Sequence, residues 1–239
     1  MKQGRQEKIL EILRHTEYAT VEHLAIQLYF SVPTVRRDLA ELERKGLIVR
    51  SRGGAALKNT PNAAVAFDLR NTLQTKEKSE IARQAAALIE DGDVIFLDAS
   101  TTVLHMVKHL TEKKDITVLT NSIQLPLLLR NTGIRVYSTG GRLIPNSLAY
   151  GGAPAEEAVE RFHIDKLFFS SYALTLGGEI LDYSEEETAL RKKLLQKAKK
   201  RYFLCDSSKF GRTSIFYVAD LSEVDRLLSD QPFQKEETQ

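Results

Sequence analysis

The chain opens with three apolar stripes at helical spacing. Ile9, Ile12 and Leu13 form the first, Val21, Leu24, Ala25 and Leu28 the second, and Val35, Leu39 and Leu42 the third. Apolar residues recurring every three to four positions mark the buried face of an amphipathic helix. Thr20 and Ser31 stand just ahead of the second and third stripes, where a hydroxyl can cap free backbone N–H groups. Pro33 falls in the first turn of the third helix, where its missing donor costs little, and Gly46 supplies a left-handed stop after Lys45. The third stripe leaves Thr34, Arg36, Arg37, Asp38 and Glu41 on the exposed arc. The run Leu47-Ile48-Val49-Arg50, the turn Ser51-Arg52-Gly53-Gly54 and then Ala55-Ala56-Leu57 predict a small hairpin. Two short helices, a three-residue turn, an Arg-bearing helix and a Gly-Gly hairpin follow the order of a winged helix-turn-helix, whose third helix enters a DNA major groove. The residues placed to meet DNA are Ser31, Thr34, Arg36 and Arg37 on the helix, with Arg50, Arg52, Gly53 and Gly54 on the hairpin.

From residue 58 the pattern changes. Asn59-Thr60-Pro61-Asn62 is polar and breaks structure, so residues 1–57 read as one domain, 58–75 as a linker and 76–239 as a second, larger domain. Lys76 to Ile89 carries Ile81, Ala82, Ala85, Leu88 and Ile89 on one helical face. Short apolar runs then follow at 94–97, 116–119, 134–137, 166–170, 202–205 and 224–228, with helix-like segments between most of them. Strands alternating with helices predict an α/β domain built on a mostly parallel sheet, in which ligands sit beyond the carboxyl ends of the strands.

The segments after those runs share a chemistry. Asp98-Ala99-Ser100-Thr101-Thr102, Thr120-Asn121-Ser122 and Ser138-Thr139-Gly140-Gly141-Arg142 supply hydroxyls, amides and glycines at one end of the sheet. Ser/Thr-capped helix starts there would favour an anion, because backbone donors and the helix dipole point the same way. Asp206-Ser207-Ser208-Lys209-Phe210-Gly211 adds a cation. These features point to a phosphate or a sugar hydroxyl. Glu185-Glu186-Glu187 reads as the acidic first turn of a helix. His105 and His109 lie four apart without a carboxylate in register, so no metal site is expected, and nothing marks a cofactor.

Charge sharpens the division. The 239 residues hold 34 Lys+Arg and 32 Asp+Glu, a net +2. Residues 1–57 carry ten bases against seven acids, a net +3, which leaves −1 for the rest. A basic head on a neutral body is expected to meet a polyanion with the head alone, and +2 is too little for a nucleic-acid-packaging protein. No apolar run approaches the ~20 residues needed to cross a bilayer, and the amino-terminal segment has no signal-like apolar core, so a soluble cytoplasmic protein is expected. The single cysteine, Cys205, excludes an intramolecular disulfide and reads as a buried thiol.

The run Ser31, Thr34-Val35-Arg36-Arg37-Asp38-Leu39, Leu42-Glu43, Gly46 and Arg52-Gly53-Gly54-Ala55 resembles the DeoR-type bacterial transcriptional regulators. From about Arg70 to Asp230 the chain is similar to the sensor domain of that family, carrying Lys78, Asp98 to Thr102, Thr120-Asn121-Ser122, Gly140-Gly141-Arg142-Leu143, Ser147, Gly152, Asp165-Lys166, Glu186-Glu187 and Asp206 to Gly211. The resemblance implies a fold like ribose-5-phosphate isomerase and CoA-transferase-like proteins, and a phosphorylated-sugar effector. It sets Lys78, Asp98, Ser100, Thr101, Thr102, Thr120, Asn121, Ser122, Gly140, Gly141, Arg142 and Lys209 as effector-binding candidates. Tyr29 stands where the family usually has glycine in the interhelical turn, Arg52 where it usually has histidine, and a glycine usual near Ala173 is lacking.

The expected function is therefore a DNA-binding regulator, a repressor of a sugar-metabolism operon, whose partners are operator DNA, a sugar phosphate and further copies of itself in a dimer or tetramer. The alternative is a sugar-phosphate isomerase-like enzyme carrying a DNA-binding head. The absence of a Gly-x-Ser-x-Gly elbow and of a Rossmann glycine fingerprint, together with the head itself, weighs against catalysis.

Overall fold

The computed structural model describes residues 2–16, 18–50, 54–57 and 67–236, which fall in two compact units, Met1–Leu73 and Gln74–Gln239. In the first unit α1 (Lys2–Thr16) leads to β1 (Tyr18–Thr20), α2 (Val21–Leu28), α3 (Val32–Arg44), β2 (Ile48–Arg50) and β3 (Gly54–Leu57), and α4 (Phe67–Thr72) lies within the stretch read as a linker. The three strands form an antiparallel sheet in the order β1-β3-β2. The predicted stripes close one core, with Ile9, Leu13, Leu24, Val35, Leu39 and Leu42 packed against Ile48 and Ala55. Thr20 caps α2 as expected, its Oγ1 accepting the His23 N–H at 3.0 Å.

Two expectations in this unit are corrected. The Ser31 hydroxyl makes no bond to the backbone of α3. It pairs with the Thr34 hydroxyl at 2.9 Å, while the Ser31 carbonyl accepts the N–H groups of Thr34 and Val35. Asp38 does not lie on the exposed arc. It is 1% exposed, because α1 packs over that side of α3 and delivers a bidentate partner: Arg5 donates from Nε to Oδ2 and from Nη2 to Oδ1, the latter at 3.1 Å. The same guanidinium lies 4.5 Å from the Phe30 ring centroid. Gln6 extends the clamp, donating to Glu41 at 2.9 Å and accepting from Lys45 at 2.8 Å.

The second unit runs α5 (Thr75–Ala86), β4 (Val94–Leu97), α6 (Thr101–Leu104), α7 (Val107–Leu110), β5 (Thr117–Thr120), α8 (Gln124–Leu129) and β6 (Arg135–Ser138). It continues through β7 (Arg142–Ile144), β8 (Ala149–Gly151), α9 (Ala153–Glu160), β9 (Lys166–Phe169), β10 (Ala173–Leu174) and β11 (Glu179–Asp182). It ends with α10 (Glu185–Lys197), β12 (Lys200–Leu204), β13 (Phe216–Asp220) and β14 (Arg226–Leu228). The six apolar runs become one parallel sheet in the order β14-β12-β9-β4-β5-β6. Side chains alternate across it. Phe96, Leu119, Leu167, Phe169, Phe203 and Cys205 share one buried cluster with Leu190 and Leu194 of α10, Val159 of α9, and Ile180 and Val218 of a small antiparallel sheet, β10-β11-β13.

β4 is first in sequence and lies inside the sheet, with β5 and β6 on one side and β9, β12 and β14 on the other. The connections after β4 and β9 thus diverge, and such a reversal point opens a crevice at the carboxyl edge.

Tyr29 closes α2 with φ 56° and ψ 42°, a left-handed conformation, and is 94% exposed. Its side chain makes little contact to offset a conformation that costs a non-glycine residue about 1–2 kcal/mol. Tyr29→Gly should therefore raise stability against urea by roughly 0.5–1 kcal/mol, the relief exceeding the extra chain entropy of glycine in the unfolded state. A loss of stability would show that the ring packs.

Candidate functional site

The first unit presents Arg36 and Arg37, both exposed, on α3, with Thr34 half-buried one turn earlier. Arg50 is less free than expected: its guanidinium sits 3.6 Å from Glu43, whose other oxygen accepts the Arg50 N–H at 3.2 Å. Gly54 opens β3 opposite Thr20. Arg52 and Gly53 lie outside the described residues.

In the second unit the carboxyl edge collects the loops after β4, β5, β6, β9 and β12. After β4, Ser100 caps α6 by accepting the Val103 N–H at 3.2 Å. The N–H groups of Thr101 and Thr102, first in that helix, have no carbonyl four residues back to bond. Thr102 is fully buried and its hydroxyl has no partner. After β5, Thr120 donates to the Leu97 carbonyl at 2.6 Å and accepts the Ser122 N–H at 3.0 Å, and Ser122 in turn accepts from Gln124 and Leu125 at the start of α8. Asn121 donates to the Tyr150 carbonyl at 3.1 Å, while its own buried Oδ1 is unpartnered.

The third loop corrects the expectation of a capped helix. Gly140 and Gly141, at φ 60° and 114°, turn the chain into the β7–β8 hairpin. A Cβ on Gly141 would meet the Gly151 carbonyl at 2.6 Å, so this close approach needs glycine. Arg142 is drawn out along the hairpin, largely exposed and paired with Glu186, so it does not join the other candidates.

After β12, Lys209 donates to the Ser170 hydroxyl and the Ser171 carbonyl, each at 2.8 Å, closing the loops after β9 and β12 upon each other. It also lies 3.8 Å from Asp206. Burial opposes ionisation of Asp206, but Lys209, the Ser208 hydroxyl, Lys78 and Arg212 outweigh it and hold the carboxyl below its ordinary value. Lys78, on α5, is 4% exposed and is placed by this interaction beside the same loop. Neighbouring Cys205 is buried, and burial pushes its thiol up to about 12, so it stays protonated and unreactive.

Beneath the loops lies a group the sequence reading missed. Arg191 is buried among three carboxylates, with bonds to Asp182 at 2.8 Å, Glu187 at 3.2 Å and Asp98 at 3.3 Å. Burial works against its charge, yet Asp182, Glu187 and Asp98 raise its pKa above the ordinary arginine value. Asp98 also accepts the N–H groups of Ser100 and Ser170, Asp182 those of Tyr183 and Ser184, and Glu187 the Ser147 hydroxyl at 2.7 Å. The i,i+4 spacing of Glu187 and Arg191 was the available signal. It resembles a solvated helix pair until the burial is known.

Arg191→Leu should leave three buried carboxylates without a counter-charge and cost about 3–5 kcal/mol in the unfolding of this unit by urea, far more than an exposed ion pair would. A loss below 1 kcal/mol would mean the cluster is hydrated. For Asp206 the sign follows from its lowered pKa: its contribution is present above the ordinary carboxylate value and is lost as pH falls. Lys209→Met removes the largest favourable charge, so acid unfolding followed from pH 7 to 3 should begin at higher pH than in the unsubstituted chain. An unchanged acid profile would contradict this.

The chain matches the family model of a DeoR-like helix-turn-helix domain over residues 5–60 and that of a DeoR C terminal sensor domain over residues 73–231. It is 37% identical over 224 residues to the HTH-type transcriptional repressor GlcR of Bacillus subtilis, covering 93% of this chain and 86% of that protein. It is 33% identical over 228 residues to the L-fucose operon activator of Haemophilus influenzae, covering 95% and 91%. Among solved structures it is similar in fold to eIF2B delta of Chaetomium thermophilum, with a TM-score of 0.51, 19% identity and coverage of 69% and 59%. Ribose 5-phosphate isomerase A of Methanocaldococcus jannaschii overlays at a TM-score of 0.42, with 16% identity and coverage of 56% and 53%.

Proposed function

The chain belongs to the DeoR family of DNA-binding transcriptional regulators, and on that footing we propose that it is a cytoplasmic repressor of a sugar-metabolism operon, released from its operator by a phosphorylated sugar held at the carboxyl edge of the parallel sheet. The observation that carries the effector site is the buried, unpartnered pair Thr102 Oγ1 and Asn121 Oδ1, on the same sheet edge as Lys78 and Lys209. Buried polar groups are ordinarily satisfied. A sugar's hydroxyls would give those two atoms the partners they lack, and its phosphate would meet the positive charge that Lys78 and Lys209 already hold at this edge. The names of the relatives support the operon class, since one is an L-fucose operon activator and another a Putative aga operon transcriptional repressor of Escherichia coli O157:H7.

The isomerase alternative is disfavoured by the carboxylates nearest the crevice. A general base needs a free carboxylate within about 2.6–3.2 Å of the proton it removes. Asp98, Asp182 and Glu187 are each committed to Arg191 and to further donors, and Asp206 to Ser208 and Lys209, while Glu186 pairs with Arg142 through Oε1 and keeps a buried, unpartnered Oε2, the one oxygen of this group that an isomerase reading could use. These bonds support a site that binds without proton transfer.

At about 100 times its dissociation constant, the effector stabilises the protein by ~2.7 kcal/mol, enough to raise the melting temperature by roughly 5–10 °C. A panel of sugar phosphates and their unphosphorylated parents should give that shift for one phosphorylated member only, reduced in Lys209→Ala. No shift across the panel would sink the effector class, and conversion to a second sugar phosphate seen by NMR would establish the enzyme instead.

On duplexes selected from a random library, the repressor should occupy paired half-sites as a dimer or tetramer, because one recognition helix reads too few base pairs for tight specific binding. Arg37→Ala should lower affinity more on selected than on random DNA, and the bound effector should weaken selected-DNA binding at least about fivefold, a coupling of about 1 kcal/mol. Equal losses on both DNAs would remove Arg37 as a base reader, and unchanged affinity with effector bound would make the ligand a passenger.

A further inference from the structure

A second cavity borders β12 at its amino end. It measures about 410 Å³ and is walled by Lys192, Leu195 and Gln196 of α10, Arg201 of β12, Tyr217 of β13 and Glu223. Arg201 stands four residues before Cys205, so about 13 Å of strand separates this cavity from the carboxyl edge. Its volume falls within the range of small-molecule sites.

The Arg201 side chain lacks a close acceptor even though Asp225 acts on its charge, and Asp220 and Glu179 act on the neighbouring Tyr217 hydroxyl. The Arg201 Nε is buried and has no hydrogen-bond partner, and its Nη1 reaches only the Glu223 carbonyl, at 3.4 Å. The Lys192 ammonium lies 5.5 Å from the Tyr217 ring centroid and has no carboxylate within 4 Å among the described residues. The one acid on the wall is already engaged: Glu223 accepts the Tyr217 hydroxyl at 2.9 Å and the Asp220 N–H at 2.7 Å. A buried guanidinium donor without an acceptor is costly, and an oxyanion is the partner whose geometry its fork fits. Leu195 and the Tyr217 ring supply an apolar wall for a short carbon skeleton.

We propose that this cavity is a second binding site, separate from the carboxyl edge, for a compact oxyanion, a phosphate monoester or a polycarboxylate, gripped by Arg201 and Lys192. The site stands independently of the sugar-phosphate reading. Arg191 and Lys192 are successive residues of α10, the first turned to the buried carboxylates and the second to the cavity. An anion on Lys192 therefore sits on the helix that also carries Arg191 and Glu187 beneath the first site.

The test titrates the full chain with inorganic phosphate and, separately, citrate by calorimetry at constant ionic strength. At least one anion should bind, with affinity reduced about tenfold or more in both Lys192→Gln and Arg201→Gln and unchanged in Lys209→Ala. Preference for phosphate assigns the monoester class and preference for citrate the carboxylate class. Lys192 is exposed, so its variant keeps the fold, and melting of each variant without anion verifies this. Failure of both anions to bind, or binding lost in Lys209→Ala and retained in the other two, would overturn the second site.

Discussion

One guanidinium organises the sensor unit. Arg191 reaches from α10 to Asp98 after β4, Asp182 at the end of β11 and Glu187 on its own helix, and through Glu187 to Ser147 beside β8. Asp98 then holds the Ser170 N–H after β9, so both sides of the crevice are referred to a single charge. Buried ion clusters gain little net stability when their desolvation is counted. What this one supplies is position, because each carboxylate has other donors that fix its orientation and the loops above inherit that geometry.

The parallel sheet sets the problem that the cluster answers. Six strands running one way bring all their carboxyl ends to one edge, and with them the hydroxyl and amide loops after β4, β5, β9 and β12. Thr120 stitches β5 to the Leu97 carbonyl and Lys209 stitches the loop after β12 to Ser170 and Ser171. Most polar groups there are thus spent on one another. Thr102 Oγ1 and Asn121 Oδ1 in the loops after β4 and β5 are left without partners, as is Glu186 Oε2 beside Gly151.

The sequence pattern revealed what was buried on both faces. Each predicted run proved to be a strand of the parallel sheet: the inner β4, β5 and β9 are mostly buried and read as nearly continuous apolar segments, while the edge strands β6 and β14 are more exposed and carry Arg135 and Arg226. The hairpin of β7 and β8 and the sheet of β10, β11 and β13 escaped notice. They are two to five residues long and partly exposed, too short for an alternating pattern to rise above that of loops. Asp38 was misplaced for a related reason. The wheel of α3 alone puts it outside, and only the packing of α1, which delivers Arg5, puts it inside. Arg191 joins Asp98 across 93 residues of sequence, and no local spacing announces a contact of that kind.

The proposed effector, a phosphorylated sugar, is placed at the carboxyl edge of the parallel sheet. Hydrogen exchange followed by mass spectrometry, on the full chain with and without a saturating sugar phosphate, reads that location directly. Slowed exchange of the amides in 98–102, 120–122 and 206–209, with 192–201 and 217–223 unchanged, is the predicted result. Saturated binding with protection confined to the second cavity, or with none at the carboxyl edge, would contradict it.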